Sequence, residues 1–467
     1  MRHQYTNSFS FLIVLTIVIS GCATYHKLPM DQSTVSENLK PPSMETIRIK
    51  AKSIQHPILK PMEFNIRDGL SPDEAAILAV LANPTLRAIR DQKGTAAAQL
   101  LQAGILPNPQ LSYNLDVPTG GNTQDTVNAF GFGLGWDITS LITHGAKLDM
   151  ARSHAQSVDL DIAWKEWQVA QAARLNVYRL IFTEKQLLLA RDIVKQRKEN
   201  LTVIQRGFSM GVVTVLDLNA AKAAYQQARN SVLILEQEHE DERHVLNQTL
   251  GIPPDNKVLL QRDVRLPIWK SLPTTPKIMD GLEDRRLDLL ALKKGYESQE
   301  SQVRAAILSQ FPKINIGLTH ARDTGNVITT GFAVTIDLPF FDRNQGQIAL
   351  VRAGRKQLFD EYIARIFEAH SKIATISGDM KSIKKQIEAA EQSLQISCGL
   401  LETYKKAVEE GNADILVYND TLNEVASWQL KILQLKRDLS DMGIALEIAT
   451  GEYIGQTGAD GGDAAHD

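Results

Sequence analysis

The side chains best suited to metal chemistry lie in the charged segment EQEHEDERH. Glu240 and His244 are four positions apart and would share one face of a helix, with His239 beside them. A carboxylate and imidazoles are ligands that Zn²⁺ accepts. A solvated, charge-rich helix surface accounts for the same residues, and we predict no metal site and no cofactor in this chain.

The remaining chemical signals argue against an enzyme. Cys22 and Cys398 are too few and too far apart for a disulfide framework or a metal knuckle, and Cys398 falls on a helical pattern that favours buried packing. The run GFGLG at 131–135 lacks the GxGxxG spacing of a nucleotide-binding loop. No nucleophile–base pair is recognisable, and a net charge of −3 without a basic patch argues against nucleic acid.

The N-terminus carries a targeting signal. Arg2 and the apolar run FSFLIVLTIVIS have the charge and length of a signal peptide rather than of a membrane span. The sequence ISGC that follows resembles the bacterial lipoprotein signal, in which the cysteine, here Cys22, is lipidated and becomes the first residue. In such proteins Ala23 after the cysteine favours the outer membrane. An ordinary secretory signal with an accidental cysteine is the alternative.

The chain contains an internal duplication of about 200 residues. At an offset of 200, GFGLGWDI at 131–138 aligns with GFAVTIDL at 331–338, Gly211 with Gly411, and Gly251 with Gly451. Upstream the offset is 203, and the difference falls in two loops rich in Gly, Thr and Asp. A repeated unit of this length is too long for a solenoid repeat. Each half is predicted to run helix, hairpin, long helix, turn, helix.

The hairpin strands alternate strictly between apolar residues and small or polar ones. A half-buried sheet on a soluble core explains the alternation, and so does an outer-membrane barrel with its apolar face toward lipid. Four strands cannot close a barrel, so membrane strands would require an oligomer that pools them. The predicted lipid-facing residues are Phe130, Phe132, Leu134, Trp136, Phe332, Val334 and Ile336.

Two long heptad-patterned helices accompany the strands. From Thr143 to Phe208 no proline occurs, and apolar residues recur every seven positions, as they do again 200 residues later. Gly211 and Gly411 end these helices, and returning helices are expected over 215–250 and 415–450. The turns between them are expected to contact a partner through Gly211, Val212, Val213, Thr214, Gly411, Asn412, Ala413 and Asp414.

The duplicated unit resembles the outer membrane factor family, the TolC-like channel-tunnels. AGILPNPQLSYN before the first strand and the Gly-x-x-Thr-x-x-Asp turn carry the resemblance, which covers about residues 70–451. It implies a mainly α-helical fold with membrane β-strands: a homotrimer whose twelve strands form one β-barrel, continued by a coiled-coil tunnel. It also implies a periplasmic adaptor and an inner-membrane pump. The lipoprotein signal and the opening segment look most like the heavy-metal and cation branch, which implies an RND-type pump.

The resemblance also places a pore constriction just past each turn, where acids at positions i and i+3 face the lumen. The first copy has Asp217 but Ala220, and the second has Val417 but Asp420. On a threefold axis each aspartate would form a ring of three that favours cations. The alternative is that both aspartates start or solvate a helix.

The predicted boundaries follow from these features. They are a signal peptide over 1–21, a lipid-anchored tether over 22–69, a first repeat over 70–251 with strands near 110–118 and 126–138, a linker over 252–281, a second repeat over 282–451 with strands near 313–320 and 327–338, and a disordered tail over 452–467. The function expected is an efflux exit duct for heavy-metal cations, drugs or secreted protein; a lipid-anchored periplasmic scaffold is the alternative.

Overall fold

The computed structural model of the protein describes residues 23–65, 68–261, 264, 274–410, 412 and 415–454. The chain divides into two compact units, Met1–Pro41 and Pro42–Asp467. The first contains helix α1 (Gln32–Asn38), which begins where the Asp31 carboxylate accepts the Thr34 N–H at 2.8 Å. The predicted lipidation site Cys22 and the signal peptide lie outside the described residues.

The second unit contains two copies of one helix–hairpin–helix arrangement. The helices and strands of the first half are α2 (Met44–Lys52), α3 (Pro72–Ala82), α4 (Pro84–Gly104), β1 (Gln110–Asp116), β2 (Ala129–Asp137), α5 (Thr139–Ser209) and α6 (Val215–Leu250). Those of the second half are α7 (Thr275–Met279), α8 (Leu282–Arg285), α9 (Leu287–Leu308), β3 (Ile314–Arg322), β4 (Ile328–Ile336), α10 (Gln345–Glu409) and α11 (Ile415–Thr450). The order predicted from the sequence is the order observed.

The four strands form one antiparallel sheet in the order β1-β2-β3-β4. The central pair, β2 and β3, joins the two halves, with Phe130 opposite Arg322 and Trp136 opposite Ile316. Among the described residues, strands β1 and β4 each pair on one side only. The sheet therefore has two open edges, one from each half.

The long helices pack as hairpins, α5 against α6 and α10 against α11, and α5 also contacts α9 and α11. Helix α5 has 71 residues, which corresponds to roughly 107 Å at about 1.5 Å per residue. The heptad positions Ala173 and Leu180 of α5, and Ile373 and Met380 of α10, are buried. Within the described part of the chain, no helix has both the length and the apolar character needed to cross a membrane.

The apolar core lies where α3, α5 and α6 meet the N-terminal segment 42–65. The segment was predicted to be aperiodic, either a tether or a segment that wraps the domain. Met44–Lys52 is instead helical, and Ile47, Ala51 and Phe64 are buried. The helix is short and follows Pro41 and Pro42, so the sequence shows no clear helical period there. The Ser43 hydroxyl nevertheless caps the helix by accepting the Thr46 N–H.

Two predictions about the C-terminal half are wrong. The disordered tail was expected from residue 452, but Tyr453 packs edge-on against Trp167 with ring centroids 4.9 Å apart. An aromatic side chain that fills the core in this way orders the residues beside it; residues 455–467 lie outside the described part. Cys398 was expected to be buried, but it is exposed on α10, because its position falls outside the buried heptad seam.

Candidate functional site

One face of the sheet is apolar in its central rows and in the rows toward the helices. Cross-strand partners share a face, and the register aligns Leu111, Leu134, Leu318 and Phe332 in one row across all four strands. The neighbouring row toward the helices contains Trp136, Ile316 and Val334. The two rows contain four of the seven predicted lipid-facing residues, and the two-residue period of the strands places Phe130, Phe132 and Ile336 on the same face.

Most of these apolar side chains are left uncovered by the residues that the structure describes. Phe332 is 67% exposed, and Phe132, Leu134, Val334 and Ile336 are about half exposed. Phe130 and Trp136 are partly buried, and the Trp136 Nε1–H donates to the Pro107 carbonyl at 2.8 Å. A surface this apolar marks contact with lipid or with another protein.

The opposite face of the sheet is made of small and polar residues. Gly131 lies opposite Asn114 and Gly133 opposite Ser112. A Cβ at Gly133 would lie 2.6 Å from the Ser112 Oγ, too close for any side chain there. Glycine therefore lets the polar side chains of β1 lean across β2, and this face stays shallow and hydrophilic.

The turn between α5 and α6 forms the first helical tip. Gly211 has a left-handed φ of +72°, the Val212 N–H donates to the Gly207 carbonyl at 2.9 Å, and the Gly211 N–H donates to the Phe208 carbonyl at 3.0 Å. These two bonds define a Schellman motif, in which glycine is favoured because of the positive φ. Val213 packs over Gly207, where a Cβ would clash with its methyl group.

The second tip repeats this bond at the offset of 200. The Asn412 N–H donates to the Ala407 carbonyl at 2.7 Å, matching the bond from Val212 to Gly207. Gly411, Ala413 and Asp414 were predicted as tip residues and lie outside the described residues. On the first tip, Val212 is 80% and Leu216 is 73% exposed, so apolar side chains project where the helices turn.

The two predicted constriction aspartates differ in their surroundings. The Asp217 carboxylate accepts from the Thr214 N–H at 2.9 Å and from the Thr214 hydroxyl at 2.6 Å, and these hydrogen bonds hold its pKa below the usual range. Asp217 therefore closes a capping box at the start of α6. Asp420 is exposed on α11, and within the described residues no hydrogen bond or ion pair joins its carboxylate.

The three residues considered for metal binding have protein partners. Glu240 pairs with Arg243 at 2.6 Å, and a ring nitrogen of His244 lies 3.2 Å from the Pro254 carbonyl oxygen. The His239 Nε2 lies 3.5 Å from a carboxylate oxygen of Glu184 on α5. His239 contacts α5 and His244 contacts the segment after α6, whereas Glu240 pairs with Arg243 within α6 and lies 3.8 Å from the His239 Nδ1.

A buried ionic cluster near the middle of α5 joins both halves, and no local sequence pattern predicts it. Arg174 contacts Glu447 of α11, lies 2.9 Å from the Asp73 carboxylate of α3, and stacks over the Tyr453 ring at 4.9 Å. Desolvation raises the pKa of Glu447, and the Arg174 charge opposes that rise. Glu447 is 273 residues from Arg174, so no local pattern could have paired them.

His56 fastens the N-terminal segment to the long helix. Its Nδ1 accepts the backbone N–H groups of Ile58 and Leu59, each at 3.0 Å, so Nε2 carries the proton and donates to the Ala163 carbonyl at 2.9 Å. The charged groups nearest the ring are Glu166 and Arg90. Burial lowers the pKa of His56 and favours the neutral ring that this arrangement requires.

The geometry agrees with known proteins of one fold. The chain has a TM-score of 0.69 and 16% identity to VceC of Vibrio cholerae, covering 82% of this chain and 96% of that one. It has a TM-score of 0.68 and 17% identity to CusC, covering 85% and 98%. At this identity the likeness concerns the fold alone.

Sequence comparison identifies relatives. Outer membrane protein OprJ of Pseudomonas aeruginosa is 24% identical over 52% of this chain, and the match spans about half, 53%, of its own length. Toxin and drug export protein A of Aggregatibacter actinomycetemcomitans is 18% identical over 73% of this chain and 77% of its own length. The Outer membrane efflux protein family matches residues 77–251 and 279–452, the two repeats. The chain therefore belongs to the outer membrane efflux protein family.

Proposed function

We propose that the protein is the outer-membrane exit duct of a tripartite efflux system. The observation that carries this proposal is a four-stranded sheet with two open edges and an uncovered apolar face, set beside two long helical hairpins. An open edge is not tolerated in lipid, so the strands need partners from other chains. The duct performs no chemistry; a solute crosses it without entering lipid.

The proposed assembly is a homotrimer. Three copies of this sheet supply twelve strands, an even number within the range of outer-membrane barrels, whereas one copy lies below the smallest size of about eight. The apolar rows would face lipid, and the face with Ser112, Asn114 and the β2 glycines would face water. Cys22 would carry the lipid anchor at the periplasmic side of the outer membrane.

The helical tips are the proposed docking points for a periplasmic adaptor, which connects the duct to an inner-membrane pump of the RND type. The exposed Val212 and Leu216 of the first tip offer apolar contacts at this end of the helices. Asp420 is the better candidate for an acidic ring at the constriction, because its carboxylate is free of the capping bonds that hold Asp217.

The solute is proposed as a class rather than a compound. The family resemblance favoured heavy-metal cations, whereas one relative is named for the export of toxin and drugs. Organic solutes therefore stand beside metal cations in the proposal, and selectivity would lie with the pump.

The proposal is tested by deleting the gene and restoring it in two forms, wild type and the tip variant Val212→Asp/Leu216→Asp. Growth is measured on copper, silver, zinc, cobalt, cadmium and nickel, and on dyes, detergents and antibiotics. Wild type should restore growth on one panel. The tip variant should not, although its amount of outer-membrane oligomer is unchanged. A monomer released by removing the lipid anchor would instead support a periplasmic scaffold.

A further inference from the structure

An aromatic and cationic cluster lies on the apolar face of the sheet, at the end away from the helices. We call Tyr113, Phe130, Phe132, His320 and Arg322 the outer-edge cluster. Tyr113 lies opposite Phe132, Phe132 opposite His320, and Phe130 opposite Arg322, so all five share one face. Strand β3 starts after α9 and ends at Arg322, which places the cluster at the far end of the strands.

The cluster is continuous in space. The rings of Tyr113 and Phe132 are 4.9 Å apart, and those of Phe130 and Phe132 are 5.9 Å apart. The His320 ring lies 6.3 Å from Phe130, and the Arg322 guanidinium carbon lies 5.0 Å above the Phe130 ring. The aromatic rings hold the guanidinium beside the imidazole instead of leaving it to extend into solvent.

The cluster retains unused hydrogen-bond donors. The Arg322 Nη2 donates one N–H to the Asn128 carbonyl at 2.9 Å. Its Nε is buried without a hydrogen-bond partner among the described residues. The His320 Nδ1 is engaged with the Thr330 hydroxyl at 2.9 Å, which leaves Nε2 on an exposed ring.

Nearby acids do not neutralise this charge. Asp116 lies on the opposite face by strand parity, and Asp323 accepts the Val327 N–H at 2.9 Å in the β3–β4 turn. No ion pair joins Arg322 to any residue that the structure describes. The guanidinium therefore presents an uncompensated positive charge on the face assigned to lipid.

The position of the cluster along the membrane normal decides whether it contacts lipid tails or head groups. Ile328, opposite Arg322, lies eight residues from Ile336 along β4. At roughly 3.4 Å per residue and a tilt of about 40°, this spacing corresponds to ~21 Å along the membrane normal, and the apolar band of such a barrel is about 25 Å tall. A lipid-facing arginine costs roughly 2–4 kcal/mol at mid-membrane and about 0–1 near the head groups, so Arg322 belongs at the outer head-group level.

We propose that the outer-edge cluster binds the phosphate of a phosphorylated outer-leaflet lipid. The Arg322 Nη1–H and the second Nη2–H form the forked donor pair that fits two phosphate oxygens. When the Thr330 hydroxyl donates to Nδ1 of His320, the Nε2 of His320 carries the proton and adds a third donor. The aromatic rings below would pack against the upper part of the lipid chains. This inference rests on the proposed function, since it requires the sheet to lie in the outer membrane.

The test uses the full-length protein in phosphatidylethanolamine nanodiscs, with lipid A titrated in and bound lipid counted by native mass spectrometry. Arg322→Gln should weaken lipid A binding at least about tenfold, and dephosphorylated lipid A should bind the wild type no better than the variant. Lys313→Gln, which removes a cation from the helix end of the same strand, should leave binding unchanged. Arg322→Lys, which keeps the charge but loses the fork, should fall between.

Several results would overturn the inference. Equal lipid A binding by Arg322→Gln and wild type would remove it, as would an equal loss in Lys313→Gln. Full displacement by millimolar inorganic phosphate would identify a free-anion site instead of a lipid site. Failure of the wild type to enter nanodiscs as an oligomer would contradict the proposed function itself, whereas normal insertion with unchanged lipid binding contradicts this inference alone.

Discussion

The matched pair Phe332→Arg and Ala333→Arg tests which face of the sheet meets lipid. The two positions are adjacent on β4, so their side chains point to opposite faces. Phe332 lies in the row with Leu318, in the middle of the apolar rows, whereas Ala333 lies opposite Gly317, which has no side chain to obstruct an arginine.

The expected cost follows from this placement. An arginine on the lipid face at mid-membrane costs roughly 2–4 kcal/mol, which over three chains amounts to about 6–12 kcal/mol for the assembled barrel. That loss is as large as the whole stability of a typical domain, about 5–15 kcal/mol. Phe332→Arg should therefore fail to accumulate as an outer-membrane oligomer. Ala333→Arg, facing water, should assemble at near wild-type amounts.

The assay compares the heat-dissociable oligomer in the outer-membrane fraction for both variants, with total protein measured in parallel. Equal assembly of the two variants would refute the assignment of a lipid face. If Phe332→Arg assembled and Ala333→Arg did not, the face that meets lipid would be the opposite one.

Three further predictions concern the helical part. His56→Ala should leave two backbone N–H groups without an acceptor, at about 1–3 kcal/mol for a buried group, and so speed hydrogen exchange at Ile58 by at least about tenfold. Because burial lowers the His56 pKa on folding, the stability it contributes is present above the unfolded pKa and is lost as pH falls through the folded pKa. Acidification should therefore reduce the protection of the Ile58 amide, measured relative to an unfolded peptide at the same pH, in wild type but not in the variant. Arg174→Met should lower thermal stability by the equivalent of about 3–5 kcal/mol, because it leaves the buried carboxylate of Glu447 unpaired; an unchanged melting temperature would contradict the cluster's role. Gly207→Ala should force Val213 out of its place and reduce adaptor crosslinking at the tip more than it reduces the oligomer; equal crosslinking would show that the tip absorbs the extra methyl.

The parts predicted well from the sequence have local, repeating signals. The duplication at an offset of 200 placed the returning helices at 215–250 and 415–450, where α6 and α11 lie, because glycine ends a helix and an apolar seam identifies one. The alternation in β2 and β4 placed seven residues on one face, since side-chain direction in a strand has a period of two.

The parts missed depend on contacts between distant segments. Tyr453 packs against Trp167, and Arg174 pairs with Glu447. The two residues of each pair are far apart in the sequence, so no local pattern links them. In the sequence, His56 is one polar residue in a proline-containing segment, and nothing near it predicts the hydrogen bond to the distant Ala163 carbonyl. The capping box at Thr214 and Asp217 did have a local signal, the spacing of three residues before an apolar run.

The most direct test of the duct is single-channel conductance of the purified oligomer in a planar bilayer, in a Cys398→Ser background. Thr335→Cys introduces a thiol on the polar face and Val334→Cys one on the apolar face. Discrete conductance steps are predicted, and a membrane-impermeant thiol reagent should reduce them in Thr335→Cys while leaving Val334→Cys unchanged. Absence of conductance, or reduction only in Val334→Cys, would contradict a water-filled passage lined by the polar face of these strands.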